Sequence, residues 1–253
     1  MIRAHCPLAL LLVLTACGAG GSGGTTDPVE PPVIPPWLDT GPRILPLGDS
    51  ITEGWPSTRG GFREALYDRF LERDQAVDFV GTLDLHSDGL ADRQHEGHAG
   101  WTCADLEGGA PEWLALTDPD AVLLLCGTND LWHAGTGRSI ATAVEALVAR
   151  VRAEAPEAHV LVGTIPPIRY DFPAFDDTVR AANTLLRAEI PALEDDHVHL
   201  VDLAARLSLR DVAGDLIHLD PRGHGNQAVA DAWLAGLDGI PGLLAPPATI
   251  AAR

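Results

Sequence analysis

The chain has 253 residues, 46% of them apolar, which is enough for a packed core and allows one large or two small domains. Seventeen cationic side chains, all arginine, face 36 carboxylates for a net charge of −19. With no basic run, gripping a phosphate backbone is excluded as an expected activity, and anionic surfaces would be repelled.

The first 16 residues read as a targeting segment. Arg3 supplies a short positive region and Pro7–Leu14 an apolar run of signal-peptide length, too short to span a membrane. Leu14-Thr15-Ala16-Cys17 resembles a bacterial lipobox, so Cys17 is expected to carry lipid; cleavage of an ordinary signal peptide nearby is the alternative. Either way the mature chain is exported. Residues 17–42, Gly-rich and then Pro-rich ("PVEPPVIPP"), cannot bury apolar area and read as a tether. Residues 239–253 read as a tail of low pattern.

Between them, over 43–238, short apolar runs alternate with helical patterns. Strands are expected at Ile44–Leu47, Val77–Gly81, Ala121–Cys126, His159–Thr164 and Val198–Leu203. Helices are expected in "FREALYDRFLERD", "SIATAVEALVARVRAEA", "FDDTVRAANTLLRAEI" and "NQAVADAWLAGL", where apolar residues recur on one face. Apolar strands alternating with helices predict one three-layer α/β/α domain around a parallel sheet of about five strands. In such sheets, sites gather at the carboxyl ends of the strands.

Four stretches at those places carry chemistry. In "ILPLGDSITEG", Ser50 follows the first strand, with Gly48 allowing the backbone to turn; an Asp-Ser pair opening a turn is the bland reading. Thr52 stands where a G-x-S-x-G nucleophile elbow needs glycine, so that signature is absent. In "LCGTNDLW", Asn129 offers a neutral amide donor suited to a developing oxyanion, or an Asx-turn with Asp130 as the structural member. In "GDLIHLDPRGH", Asp215 and His218 are spaced so that the carboxylate can take the imidazole Nδ1–H and leave Nε2 as a base. His224 is the rival, but it lies near a helix N-terminus, a poor place for a base that must become cationic. In "RQHEGHAGWTCADL", the H-E-x-H spacing and glycines argue against a zincin helix, so no metal is expected; Gly100 can bring a backbone N–H close to a substrate.

These four blocks in this order resemble the SGNH hydrolases, the GDSL-type esterase superfamily. "GDSIT" looks like the first block with nucleophile Ser50; Gly100, Asn129 and Asp215-x-x-His218 match the other three. The resemblance covers about residues 43–238 and implies a flavodoxin-like α/β/α fold and serine esterase activity without metal or cofactor. It also implies an oxyanion hole built from the N–H of Ser50, the N–H of Gly100 and the side chain of Asn129. "GDSITEG", "GGFREALYDRFLE", "VDFVGT" and "HEGHAGWT" are similar to the carbohydrate esterase branch that includes acetyl xylan esterases, which implies removal of O-acetyl groups from a polysaccharide. One departure is that Leu219, not proline, follows His218, and Pro221 comes two residues later still.

Trp55, Trp101 and Trp132 each lie close to a block and are candidate substrate contacts, by stacking on sugar rings; packing the loops is the alternative. An acylated carbohydrate or other small ester is the expected partner, with membrane contact only through the lipid and the domain itself a monomer. The competing enzyme reading is a lysophospholipase or general short-chain carboxylesterase. The competing non-enzyme reading is a glycan-binding lipoprotein, which would have no use for a serine–histidine–aspartate set. Cys103 and Cys126 remain after Cys6 and Cys17 are accounted for; in an oxidising compartment they either pair or stay as buried thiols.

Overall fold

A computed structural model describes residues 40–133, 135–170 and 173–244. The expected signal segment, the expected lipidation site Cys17 and nearly all of the expected tether lie outside these residues.

Six parallel strands form one sheet. They are β1 (Arg43–Gly48), β2 (Asp78–Phe79), β3 (Glu96–Gly97), β4 (Ala121–Leu125), β5 (His159–Gly163) and β6 (Val198–Val201), in the order β2-β1-β4-β5-β6. β3 has no counterpart among the strands expected from the sequence, and β2 is shorter than the apolar run from Val77 to Gly81. Both share one edge of β1, β2 pairing with Arg43 and Ile44 and β3 with Leu47 and Gly48. An edge so shared leaves each of them only two residues of pairing.

Side chains alternate across β1 and β4. Ile44, Leu123 and Leu125 face α2 (Phe62–Glu72) and α6 (Gly225–Asp238), where Phe62, Leu66, Phe70, Trp233 and Leu237 are buried. Leu45, Leu47, Val122 and Leu124 face the opposite layer, α3 (Cys103–Thr117), α4 (Gly137–Glu154) and α5 (Pro173–Glu189). This is the three-layer α/β/α arrangement that the apolar strands predict. Burial of so many Leu, Val and Phe side chains, each contributing about 1.5–3 kcal/mol, is the main force holding the layers together.

The tail begins later than expected. Ile240 is buried, and Leu243 and Leu244 pack against the α2/α6 core, so the residues just after α6 belong to the fold.

Two glycines fix how the chain leaves the sheet. A Cβ on Gly48 would lie 2.2 Å from the Leu125 carbonyl oxygen and 2.4 Å from Thr52 Oγ1. Its role is therefore close approach of β4 and the following helix, not the turning freedom expected from the sequence. Gly127, just past β4, does need that freedom, with φ of +116°.

Candidate active site

β1 ends at Gly48, and Asp49 immediately caps α1, a single turn over Ser50–Glu53. The Asp49 carboxylate accepts from Ile51 N at 2.9 Å, so the turn reading is partly right: Ser50 opens a short helix that an aspartate caps. As the first helical residue, Ser50 has no intrahelical partner for its N–H. Asp49 is fully buried, and burial pushes its carboxyl up to about 7. Its Oδ2 has no hydrogen-bond partner among the described residues.

The segment before α6 reaches Ser50. Ser50 Oγ lies 2.7 Å from His218 Nε2, and His218 Nδ1 lies 2.8 Å from Asp215 Oδ2. The other Asp215 oxygen accepts from the backbone N–H of Ile217 and of His218, both at 3.0 Å. Burial pushes the Asp215 carboxyl up, but these three donors outweigh it and hold it below the usual carboxylate range. An ionised Asp215 fixes the imidazole with its proton on Nδ1 and leaves Nε2 toward the serine. His224 instead occupies the N-cap of α6.

The second and third stretches meet beside this set. Asn129, first residue of a 3₁₀ turn (Asn129–His133), donates through Nδ2 to the Trp101 carbonyl at 2.9 Å. That corrects the Asx-turn reading for Asn129: its amide bonds across to the neighbouring loop, leaving a second N–H on the same nitrogen. Asp130 is structural, as expected, and besides its own backbone it reaches the Cys103 backbone N–H at 3.2 Å. Gly100 has φ of +83° and is exposed, with nothing within 4 Å of where a Cβ would sit. Glycine is thus favoured there by conformation, not by crowding. Cys103 and Cys126, left open by the sequence, are joined as a disulfide with Cα atoms 5.5 Å apart.

Residues not foreseen as functional hold these loops. Glu53 Oε2 accepts from Ala99 N at 2.8 Å, one residue before Gly100, while Oε1 lies 2.7 Å from His86 Nδ1. The buried guanidinium of Arg63 donates to the carbonyls of Thr52 and Glu53 at 2.9 and 2.8 Å and to Ser87 Oγ at 3.1 Å. Burial lowers the Arg63 pKa to about 10, still far above neutrality, so this is a fixed cation under α1. Only the acid in "SITEG" and the arginine of "GGFREAL" hint at them, and neither pattern distinguishes a buried anchor from a solvated charge.

The histidines of "HEGH" are structural. His95 accepts from Gly97 N through Nδ1 and faces the Leu85 carbonyl through Nε2, both at 2.9 Å, and burial depresses its pKa to about 3. His98 bonds Glu96 and packs near-parallel to both Trp101 and Trp113, with ring centroids 4.3 and 4.5 Å away, while the two indoles also touch each other at 5.9 Å. Among the described residues no group of three or more His, Cys, Asp or Glu is arranged to hold a metal ion.

The three tryptophans each do some packing and stay open to solvent. Trp101, 37% exposed, caps the His98 stack; Trp55, 47% exposed, stands edge-on to His86 and, at 6.5 Å, to His218. Trp132, 43% exposed, packs edge-on against Tyr170 and Phe175.

Residues 47–225 match the GDSL-like lipase/acylhydrolase family. The structure is similar to the family 3 carbohydrate esterase of Clostridium thermocellum, at 26% identity and a TM-score of 0.68 over 78% of this chain and 96% of that one. A carbohydrate esterase family 3 structure from Talaromyces cellulolyticus is similar at 28% identity and 0.63, over 76% and 93%. An acetyl esterase mutant with acetate ion follows at 26% and 0.61, over 75% and 93%. No curated protein matches the chain. The chain belongs to the GDSL-like lipase/acylhydrolase family and is a serine ester hydrolase.

Proposed function

We propose that this esterase removes short acyl groups, acetyl above all, from an acylated carbohydrate such as xylan, with Ser50, His218 and Asp215 as its catalytic residues. The observation that carries the reading is the unbroken path Ser50 Oγ to His218 Nε2 to Asp215, at 2.7 and 2.8 Å. His218 takes the hydroxyl proton as Ser50 Oγ attacks the ester carbonyl. The tetrahedral oxyanion is received by the N–H of Ser50, the N–H of Gly100 and the free N–H of Asn129. His218 then protonates the leaving sugar hydroxyl, and a water activated by the same base releases acetate from Ser50. Asp215 keeps the imidazole in the needed tautomer and stabilises it once charged. All the chemistry is carried by side chains and backbone of this chain.

The substrate class is supported by two features. Two of the similar structures, at 26% and 28% identity, are described as family 3 carbohydrate esterases, and a third, also at 26%, as an acetyl esterase. Exposed indoles at Trp55, edge-on to His218, and at Trp101, whose carbonyl accepts from Asn129, suit the apolar faces of pyranose rings. The test is a panel: acetylated xylan, 4-nitrophenyl acetate, 4-nitrophenyl octanoate and a lysophospholipid. The proposal expects acetate release from xylan and a steep fall from acetyl to octanoyl esters. Hydrolysis of the lysophospholipid in preference to xylan would overturn the substrate assignment and leave the serine chemistry standing. We also propose that the domain works outside the cytoplasm as a monomer on a lipid-bearing Cys17; a Cys17→Ala chain that still fractionates with bacterial membranes would contradict the anchor.

A further inference from the structure

We infer that the Cys103–Cys126 disulfide is a positioning device for the oxyanion hole: it locks the loop bearing Gly100 to the loop bearing Asn129, and the enzyme's turnover depends on its being closed. The inference rests on the oxyanion roles proposed above for those two residues.

Cys103 is the first residue of α3 and lies three residues after Gly100; Cys126 follows β4 and lies three residues before Asn129. The bond therefore joins the two donor loops near their roots. Both cysteines are buried, at 0% and 1% exposure, in the core layer made by α3 and α4. Two weaker links run between the same loops: Asn129 Nδ2 to the Trp101 carbonyl at 2.9 Å, which is exposed, and Cys103 N to Asp130 Oδ2 at 3.2 Å, which is part-buried.

Water can compete for the exposed one, and a net contribution of about 1 kcal/mol each cannot by itself hold two loops in one register. Yet the direction of the catalytic N–H of Asn129 is set by the other N–H, which points at the Trp101 carbonyl. The position of that carbonyl depends in turn on the start of α3, which the disulfide pins. Around Gly100 the turn is closed only by the Trp101 N–H donating to the His98 carbonyl at 3.2 Å, and nothing beyond its chain neighbours lies within 4 Å of where its Cβ would sit. Its N–H is placed by the neighbouring anchor, Ala99 N to Glu53, on one side and by the start of α3 on the other. Oxyanion donors act only where preorganised within a few tenths of an ångström, and displacement by about 1 Å can cost roughly a hundredfold in rate. A disulfide serving only global stability could join any two loops; this one joins the two that must stay in register.

The test replaces the pair by Cys103→Val with Cys126→Ala, which keeps apolar volume, and measures kcat and KM on 4-nitrophenyl acetate where circular dichroism shows both proteins folded. The expected result is a fall in kcat of about tenfold or more with KM within about twofold. A double-mutant cycle with Asn129→Ala separates positioning from general loosening. Asn129→Ala should cost markedly less in the disulfide-free background than in the wild type, because the donor it removes is already misplaced. If the double variant does not fold, the wild type is reduced natively with a water-soluble phosphine. There the S–S bond gains two electrons and two protons to give two thiols, and the phosphine takes oxygen from water to become its oxide. Activity should then fall in step with titrated thiols. Wild-type kcat in the folded disulfide-free protein, activity unchanged at full reduction, or additive losses in the cycle would each overturn the inference. The Ser50→Ala control keeps the two readings apart: wild type no more active than Ser50→Ala contradicts the proposed catalytic set, not the clamp.

Discussion

Asp49 offers a test of the energetics beneath the nucleophile. It is fully buried, one oxygen caps α1 by accepting from Ile51 N, and the other has no partner among the described residues. Burial, reinforced by the charge of Asp130, raises its carboxyl from 3.8 to about 7 in spite of the bond to Ile51. Because the folded pKa lies above the unfolded one, the group's contribution is fully present below about 4 and is lost as pH rises through 7. A tenfold change in proton affinity between folded and unfolded chain corresponds to about 1.4 kcal/mol, so the gap from 3.8 to about 7 amounts to about 4 kcal/mol lost by about pH 7.5. Asp49→Asn keeps the capping oxygen and the shape of the neutral acid but cannot ionise. Its stability relative to wild type, read by urea denaturation from about pH 4 to about pH 8, should start near zero. It should grow by about 1.4 kcal/mol per pH unit and level off at about 4 kcal/mol. Taking the difference between the two proteins cancels every titrating group that does not interact with Asp49. A difference that stays flat across that range, or that favours wild type at the alkaline end, would refute the reasoning.

Three further outcomes follow from the same geometry. Asn129→Ala should lower kcat on 4-nitrophenyl acetate by about a hundredfold or more at nearly unchanged melting temperature; a loss below about fivefold would contradict its oxyanion role. Arg63→Met should lower stability by about 3 kcal/mol or more, because the carbonyls of Thr52 and Glu53 lose buried donors, and a urea midpoint within error of wild type would show those bonds to be dispensable. At the far end of the sheet, burial and the mutual charge of His159, His197 and His199 depress the imidazole pKa of His159 and of His199, beside Asp195 and Arg152. Their contribution is present above the ordinary histidine value of 6.5 and is lost as pH falls below it, so His159→Gln should flatten the acid side of the stability profile. An unchanged acid limb would count against it.

What the sequence made legible, and what it hid, follow from how local each signal is. Ser50, Asn129 and the Asp215–His218 pair stand in short motifs directly after strands or before a helix, so both chemistry and position could be read from the string. α3 escapes such a reading because Gly108, Gly109 and Pro111 look like breakers. It forms because Thr102 and Asp105 cap it reciprocally, and because the missing side chain of Gly109 makes room for the ring of Trp113. β3 is two residues long, too short for any periodicity, and exists only because β1 offers it an edge; β2 keeps just two of the residues expected at Val77–Gly81 because it shares that edge. Whether Cys103 reaches Cys126, and whether Glu53 and Arg63 are anchors or solvated charges, depends on which loops approach in space. Spacing along the chain carries no such information.

The central claim is that Ser50, activated by His218, is the acylated nucleophile. It is tested most directly by treating the wild type, Ser50→Ala and His218→Ala with diethyl 4-nitrophenyl phosphate and mapping the adduct by peptide mass spectrometry. The expected result is one diethylphosphoryl group, on Ser50, in the wild type, with esterase activity lost in proportion to labelling. Ser50→Ala should carry no adduct, and labelling of His218→Ala should be slowed by orders of magnitude. Labelling at another residue with loss of activity, or full esterase activity in Ser50→Ala, would contradict the claim.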